Sequence, residues 1–130
     1  MAETIIFPDA VALVRQALTT AGVANVVHQI PRDRPAQFVT VVRTGGAPAH
    51  DLVVDPAQVT VDSWAATGPA AMALAQQVRA YLHALTGTSV AGTAVYGVRE
   101  LAGPAELPDP DSEAPRVRQS FQIGLRATNT

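Results

Sequence analysis

The chain contains no cysteine and no lysine, and aromatic residues make up only 5% of its 130 residues. The lack of cysteine excludes a disulfide scaffold and thiolate zinc ligands, so any metal site would have to use histidine or carboxylate ligands. All nine basic residues are arginine, and the net charge is -2. Arginines scattered along a net acidic chain lack the clustered basic patch that is typical of a dedicated nucleic-acid binder.

Long hydrophobic runs are also missing. The longest apolar stretches, such as residues 70–75, are far too short to cross a bilayer, so we expect no membrane segment. The first eight residues lack the basic and apolar regions of a secretory signal, and we therefore expect the chain to stay where it is made. The hydrophobic content of 48% over 130 residues fits one globular domain covering residues 1–130.

Two helices are predicted from capping residues and apolar spacing. The first runs from about Pro8 to Ala21, since a proline–aspartate pair suits a first turn and Gly22 suits the C-terminal end. The second begins at Pro69 after a cap at Thr67 or Gly68 and ends near Gly87. Each has apolar residues at helical spacing: Val11, Val14 and Leu18 in the first, and Leu74, Val78, Leu82 and Leu85 in the second.

Five strands are predicted from alternation and from β-branched residues, at about 24–30, 37–43, 59–64, 92–101 and 116–128. The order is α-β-β-β-α-β-β, and hairpin-like links between consecutive strands favour antiparallel pairing. The sequence therefore predicts an α+β fold, a two-layer sandwich of a mainly antiparallel β-sheet with two helices on one face.

Two long loops are predicted to project from this sheet. Gly45 and Gly46 interrupt the second strand and would form the flexible base of a loop over 45–55 that also carries His50 and Asp51. The second loop, 107–115, is acidic and rich in proline, so we expect it to be exposed. Its prolines and its lack of a turn glycine do not match a calcium loop, although it contains three carboxylates: Asp109, Asp111 and Glu113.

No catalytic, cofactor or metal site is predicted, and the chain is not expected to be an enzyme. Asp62, Ser63 and His83 are the neighbouring candidates for a hydrolase, but Ser63 lies in a strand pattern without the glycine-flanked elbow of a nucleophile. The histidines, at positions 28, 50 and 83, are isolated and do not form a ligand motif. Trp64 and Phe38 are expected to pack in the core or between helix and sheet.

The last strand has one polar side. Arg116, Arg118, Gln122 and Arg126 alternate with apolar residues and should share one face. Such a stripe is most simply a solvated face of an antiparallel sheet. Its functional alternative is a surface that lines a channel or meets an acidic partner.

Six stretches in this order resemble the tail terminator (tail completion) proteins of long-tailed bacteriophages, especially those of actinobacterial hosts. The resemblance covers most of the chain. It rests on Ile5–Asp9, Pro35–Val39 and Val42–Gly46, on Val59–Ala65 and Ala75–Leu85, and on Val98–Glu100 followed by Gly103–Pro104 and Leu107–Ser112.

The resemblance implies a structural virion protein that forms a ring, commonly a hexamer, on the head-proximal end of the tail tube. Such a ring ends tube growth and joins the tail to the head, with the major tail tube protein below and a head–tail connector or head-closure protein above. Phage DNA passes through its lumen. The polar stripe of the last strand would then line that lumen, the two loops would make contacts between subunits or with partners, and no cofactor is implied. Assembly would take place in the cytoplasm of the host bacterium, and the product would sit in the virion at the junction of tail and neck.

Two alternatives remain at this point. The first is another neck component of similar size, such as a head-closure or head–tail connector protein. The second is a non-viral α+β ligand-binding module or small hydrolase, which would need a closed pocket with converging polar groups around Asp62, Ser63 and His83.

Overall fold

The structure is a computed structural model that describes residues 4–49, 51 and 53–129. Within those residues the chain forms two helices and eight strands, which confirms the mixed α+β class. The chain order also contains short strands that the sequence did not predict. The elements are β1 (Ile5–Ile6), α1 (Ala10–Thr20), β2 (Val26–Val27), β3 (Phe38–Gly46), β4 (Val54–Trp64), α2 (Gly68–His83), β5 (Ser89–Val90), β6 (Thr93–Glu106), β7 (Arg116–Arg126) and β8 (Thr128–Asn129).

Both helices begin at side-chain caps. The Asp9 carboxylate accepts a hydrogen bond from the Ala12 amide at 3.1 Å, and the Thr67 hydroxyl accepts one from the Ala70 amide at 3.2 Å. These caps satisfy amides that have no partner inside the helix. Because Asp9 is an extended cap residue, α1 begins two residues later than predicted. Helix α2 ends at His83, slightly before the predicted end.

The main sheet has six strands in the order β2-β3-β4-β7-β6-β5. Its pairs are antiparallel except for β2, which pairs in parallel with β3. The predicted strand over 24–30 was therefore too long, and its predicted antiparallel pairing was wrong. Asn25 has a φ of 58°, and the prolines at 31 and 35 cannot donate ladder hydrogen bonds, so only Val26–Val27 pairs.

Strand β3 continues through Gly45 and Gly46, which the sequence predicted as a loop base. Both glycines have positive φ, and the register with β4 shifts between Arg43 and Gly45. This is a β-bulge, a feature that glycine allows because it has no Cβ. Strand β4 begins at Val54, so the connection spans 47–53 rather than 45–55.

Strands β6 and β7 form a long hairpin. The register of β6 against β7 shifts at three places, whereas β7 pairs with β4 without interruption over eleven residues. The small second sheet joins β1 to β8 in antiparallel register. The hairpin leaves residues 107–115 as the connection that the sequence predicted.

The main core lies between the helices and one face of the six-stranded sheet. Apolar residues that alternate along β3, β4 and β7 pack there against both helices, and most are fully buried. They include Val41, Val59, Val61, Phe121, Ile123 and Leu125 from the strands, and Val14, Leu18, Val78 and Leu82 from the helices. The opposite sheet face carries the polar residues of β7.

Candidate functional site

The sheet face opposite the helices is the strongest candidate for function. Arg116, Arg118, Gln122 and Arg126 lie on it, because alternate residues of β7 between them are buried in the helix-side core. We call this surface the arginine face and define it by the outward residues of β4, β6 and β7.

Neighbouring strands add further polar side chains to the arginine face. Gln122 lies between Gln58 of β4 and Arg99 of β6 in the strand register. Residues directly opposite each other in antiparallel strands share a face, so these three form one row across the sheet. Arg99 could not be assigned to this face from its sequence pattern, because three register shifts break the alternation of β6. The strand residues of this face thus include four arginines and one carboxylate, Asp62.

Asp62 forms a bidentate ion pair with Arg118. The Arg118 Nε and Nη2 atoms donate to the two carboxylate oxygens at 2.9 and 3.0 Å. The Asp62 side chain is 10% exposed and that of Arg118 is 43% exposed. The hydrogen bond to Asp62 raises the pKa of Arg118 above its ordinary value, although burial acts in the opposite direction.

The residues considered for a hydrolase do not come together. Asp62 lies on the arginine face, whereas Ser63 points to the other side of the sheet, where its buried Oγ has no hydrogen-bond partner among the described residues. His83 lies on α2, with Nε2 at 3.3 Å from Oε1 of Glu100 and its ring edge against Phe121. This arrangement does not support a catalytic triad.

One end of the arginine face is built around Trp64. The Phe38 and Trp64 rings stack at 5.2 Å, and the Trp64 Nε1 atom donates to the Thr40 hydroxyl at 3.1 Å. The guanidinium groups of Arg34 and Arg116 lie over the Trp64 ring at 5.5 and 5.4 Å from its centroid. Trp64 and Phe38 are both buried, which agrees with the core alternative of the prediction, and they lie on the sheet face opposite the main helix-side core. The pattern could not show that a loop carrying Arg34 covers them.

The 107–115 connection is organised by a buried carboxylate. The prediction of a fully exposed loop was wrong for Asp109, which is 9% exposed, although Asp111 and Glu113 are exposed. The Ser112 hydroxyl donates to Asp109 Oδ2 at 2.6 Å, and Arg34 lies 3.8 Å from the same oxygen. The Ser112 hydrogen bond lowers the pKa of Asp109, with smaller contributions in the same direction from the Asp111 amide and two arginines.

The 47–53 connection lies at the opposite end of β4. Asp51 is exposed and has a φ of 49°, while His50, a predicted contact residue, is outside the described residues. Asp55, once placed in this loop, belongs to β4 and forms a bidentate pair with Arg43 at 2.7 and 2.8 Å. The connection is thus shorter than predicted and is bounded by a paired, ordered strand end.

The described part of the chain offers little for small-molecule chemistry. No group of three or more histidine, aspartate or glutamate side chains within it could hold a metal ion. A cleft of about 240 Å³ lies between the start of α2 and the 107–115 connection. Within residues 4–49, 51 and 53–129, no helix is long and apolar enough to cross a bilayer.

Comparison with known protein families gives a match over most of the chain. A family model described as "Phage tail termination protein" matches residues 6–130. The chain belongs to this family. The resemblance seen in the sequence is confirmed, and the protein is a structural component of a phage tail. The family therefore favours a structural role over an enzymatic one.

The fold is also found in a solved virion structure. A chain from the "Virion of native gene transfer agent (GTA) particle" aligns with a TM-score of 0.67 and 16% sequence identity. The alignment covers 90% of this tail termination family member and 94% of that chain. No protein of curated function matches the sequence significantly.

Proposed function

We propose that the protein forms a ring of six copies that caps the head-proximal end of the phage tail tube. The ring ends polymerisation of the major tail tube protein and provides the surface on which a head–tail connector or head-closure protein docks. It assembles in the cytoplasm of the host bacterium and remains in the virion. The observation that supports this proposal is the family match over residues 6–130.

In this proposal the arginine face lines the lumen through which DNA passes. The subunit is one domain over residues 1–130, arranged as a two-layer sandwich with both helices away from the lumen. A cyclic assembly repeats the same face around its axis, so one polar sheet face per subunit suffices to build the wall. The side chains that would face the lumen are Arg116, Arg118, Gln122 and Arg126, together with Arg99.

The two connections supply the contacts to neighbours and partners. Residues 107–115 are already ordered in the single subunit, because Asp109 is bonded to Ser112 and lies beside Arg34. A loop that is ordered before binding loses less conformational entropy on assembly. Asp111 and Glu113 are exposed on it and suit contact with basic groups. The 47–53 connection, to which His50 and Asp51 belong in the sequence, follows the bulge at Gly45 and Gly46 at the far end of β3 and would make the second set of contacts.

A tube-capping assay tests the proposal. The tail tube protein is polymerised with and without the purified protein, and tube lengths and ends are measured by negative-stain microscopy. We expect capped tubes of restricted length and rings with a central hole. Tubes that grow equally long with the protein present would refute the proposal.

A loop variant tests the assigned contacts. Deletion of residues 47–53 should abolish capping, and it should also lower the thermal unfolding temperature, because Gly46 pairs with Ala57 and cannot be joined directly to Val54 without disturbing β4. A matched variant that replaces the same residues with a flexible glycine–serine segment of equal length separates loop length from loop chemistry. If the deletion variant still forms rings and caps tubes, this connection is not an assembly element.

The same assay distinguishes the neck alternative. A head-closure protein would bind the connector but leave tube length unchanged. The ligand-binding alternative is disfavoured because Asp62 lies on the arginine face, whereas Ser63 and His83 lie on the helix side of the sheet.

A further inference from the structure

We infer that the arginine face binds the phosphate backbone of duplex DNA through Arg99 and Arg126. This inference rests on the proposed placement of the face along the lumen and adds a direct contact to simple passage. It starts from the way charged residues are distributed between the two faces of the sheet. The strand residues of this face carry four arginines and one carboxylate, although the whole chain has a net charge of -2. The arginines that are scattered in the sequence are clustered in the fold.

The four arginines differ in what they already contact. Arg118 is paired with Asp62, and Arg116 donates to the Leu107 carbonyl at 2.8 Å and lies over Trp64. Arg99 and Arg126 are exposed and form no ion pair or hydrogen bond within the part of the chain that the structure describes. Their guanidinium groups are therefore available to an outside anion at no cost in internal contacts.

The surface between these two arginines is low and open. Gly97 and Gly124 lie opposite each other in the strand register, and no side chain rises from either. A depression of about 330 Å³ results, lined by Tyr96, Arg99 and Gln122 among others. Arg99 and Arg126 are separated by about four residues along the strands, or ~13 Å. Duplex DNA carries about one negative charge per 1.7 Å of its axis, so a segment of that length presents several phosphates.

The arrangement favours DNA over an acidic protein segment. Protein partners are usually anchored by apolar or aromatic side chains in well-packed pockets. Here Gln58 and Gln122 lie in the row with Arg99, and the depression is open, with Gly97 and Gly124 beside Val54, Pro56 and Tyr96 in its lining, so it is a shallow surface and not a well-packed pocket. Phosphate contacts need only accessible positive groups with neighbouring hydrogen-bond donors. Two such contacts per subunit, repeated around a ring, hold DNA without reading its sequence.

Fluorescence anisotropy with a labelled 30-base-pair duplex tests the inference. Binding of the purified protein is titrated at several salt concentrations, beginning at low salt. We expect log K to fall linearly with log salt. Arg99→Gln and Arg126→Gln should each reduce the magnitude of that slope by about 0.9, because each removes one phosphate contact. Both side chains are exposed, so the unfolding temperature should be unchanged.

Arg15→Gln is the control, since it removes one exposed arginine from α1 on the helix side, where Arg15 Nε donates to the Val26 carbonyl at 3.3 Å. It should leave the slope unchanged. Absence of DNA binding at low salt, or an equal loss of slope in the control, would overturn the inference. So would a poly-glutamate peptide that displaces the duplex more effectively than unlabelled DNA of equal charge, since that result would identify an acidic protein as the partner.

The tube-capping assay separates this inference from the proposed function. The Arg99→Gln/Arg126→Gln double variant should cap tubes as well as the unmodified protein while binding DNA more weakly. If the unmodified protein binds DNA but does not cap tubes, the proposed function fails and the DNA contact stands. If it caps tubes and the double variant binds DNA normally, only the DNA inference fails.

Discussion

The two adjacent glycines in the β3 bulge should respond very differently to alanine. Gly45 and Gly46 have φ values of 112° and 126°, which L side chains rarely adopt. Alanine at either position therefore carries backbone strain of about 1–3 kcal/mol. The positions differ in the space around a new Cβ. At Gly45 no atom lies within 4 Å, whereas at Gly46 the Cβ would overlap the Pro56 carbonyl oxygen and lie 2.9 Å from the Gln58 amide nitrogen.

The extra cost at Gly46 follows from the atoms it would meet. They belong to the backbone of β4 and cannot rotate away, so the bulge itself must shift and the pairing of Gly46 with Ala57 is weakened. Losing one such hydrogen bond costs about 1 kcal/mol, and the displacement of packed strands adds about 1–3 kcal/mol. We expect Gly46→Ala to destabilise the protein by about 3–7 kcal/mol in total and Gly45→Ala by about 1–3 kcal/mol.

Urea and thermal unfolding followed by circular dichroism measure this difference. At about 3–5 °C per kcal/mol for a chain of this size, Gly46→Ala should lower Tm by more than ~10 °C. Gly45→Ala is the internal control, because it shares the strain but not the overlap. Equal destabilisation by the two substitutions would show that the bulge does not bring Gly46 against β4, and the reasoning would be refuted.

Three further substitutions test separate parts of the structure. Asp109→Asn should lower Tm at neutral pH, and the difference in Tm from the unmodified protein should shrink as the pH falls below about 4. The pKa of Asp109 is lower in the folded than in the unfolded chain, so its carboxylate contributes stability above the unfolded pKa and loses that contribution on protonation. A constant difference in Tm from pH 7 to pH 2.5 would contradict this. Gln119→Met should leave stability unchanged or raise it, because the buried Gln119 Oε1 lacks a partner among the described residues. The hydrogen bond that would be lost is the one from Nε2 to the Ala75 carbonyl at 2.8 Å. A decrease above about 2 kcal/mol in the free energy of urea unfolding would contradict the prediction. Trp64→Leu should lower the free energy of unfolding by about 2–4 kcal/mol and speed proteolysis within 107–115. The substitution removes the ring under Arg34 and Arg116, and Arg34 lies beside Asp109 of this connection. Unchanged cleavage would show that the connection is held by other contacts.

The sequence predicted best those elements whose signals are local. Helix α2 follows from the Thr67 cap, the proline after it and apolar residues at helical spacing. Strand β7 follows from alternation that is unbroken over its whole length. In both cases each residue's environment is set by a regular period, which the pattern reveals directly.

The elements that were missed depend on contacts between distant segments. The parallel pairing of β2 with β3 depends on the direction in which the chain enters the sheet after residue 37. No local sequence pattern indicates that direction. Burial of Asp109 depends on Ser112 and on Arg34, which is far away in sequence. Arg99 was missed as a member of the arginine face because bulges in β6 break the period of two that identifies a face. A search for interrupted alternation opposite β7 could have found it.

The absence of lysine agrees with how most of the arginines are used. A planar guanidinium can form two parallel hydrogen bonds to a carboxylate and can lie flat over an aromatic ring, whereas an ammonium group can do neither equally well. Three arginines form such bidentate pairs with carboxylates, and two more lie over the Trp64 ring. These are Arg43, Arg79 and Arg118, and then Arg34 and Arg116. The internal contacts of these five residues require the planar geometry of a guanidinium group. Arg99 and Arg126 have no internal contact in the described part of the chain that would require a guanidinium. Replacing both with lysine should therefore preserve stability, and it should preserve DNA binding as well, because a phosphate contact needs chiefly the positive charge.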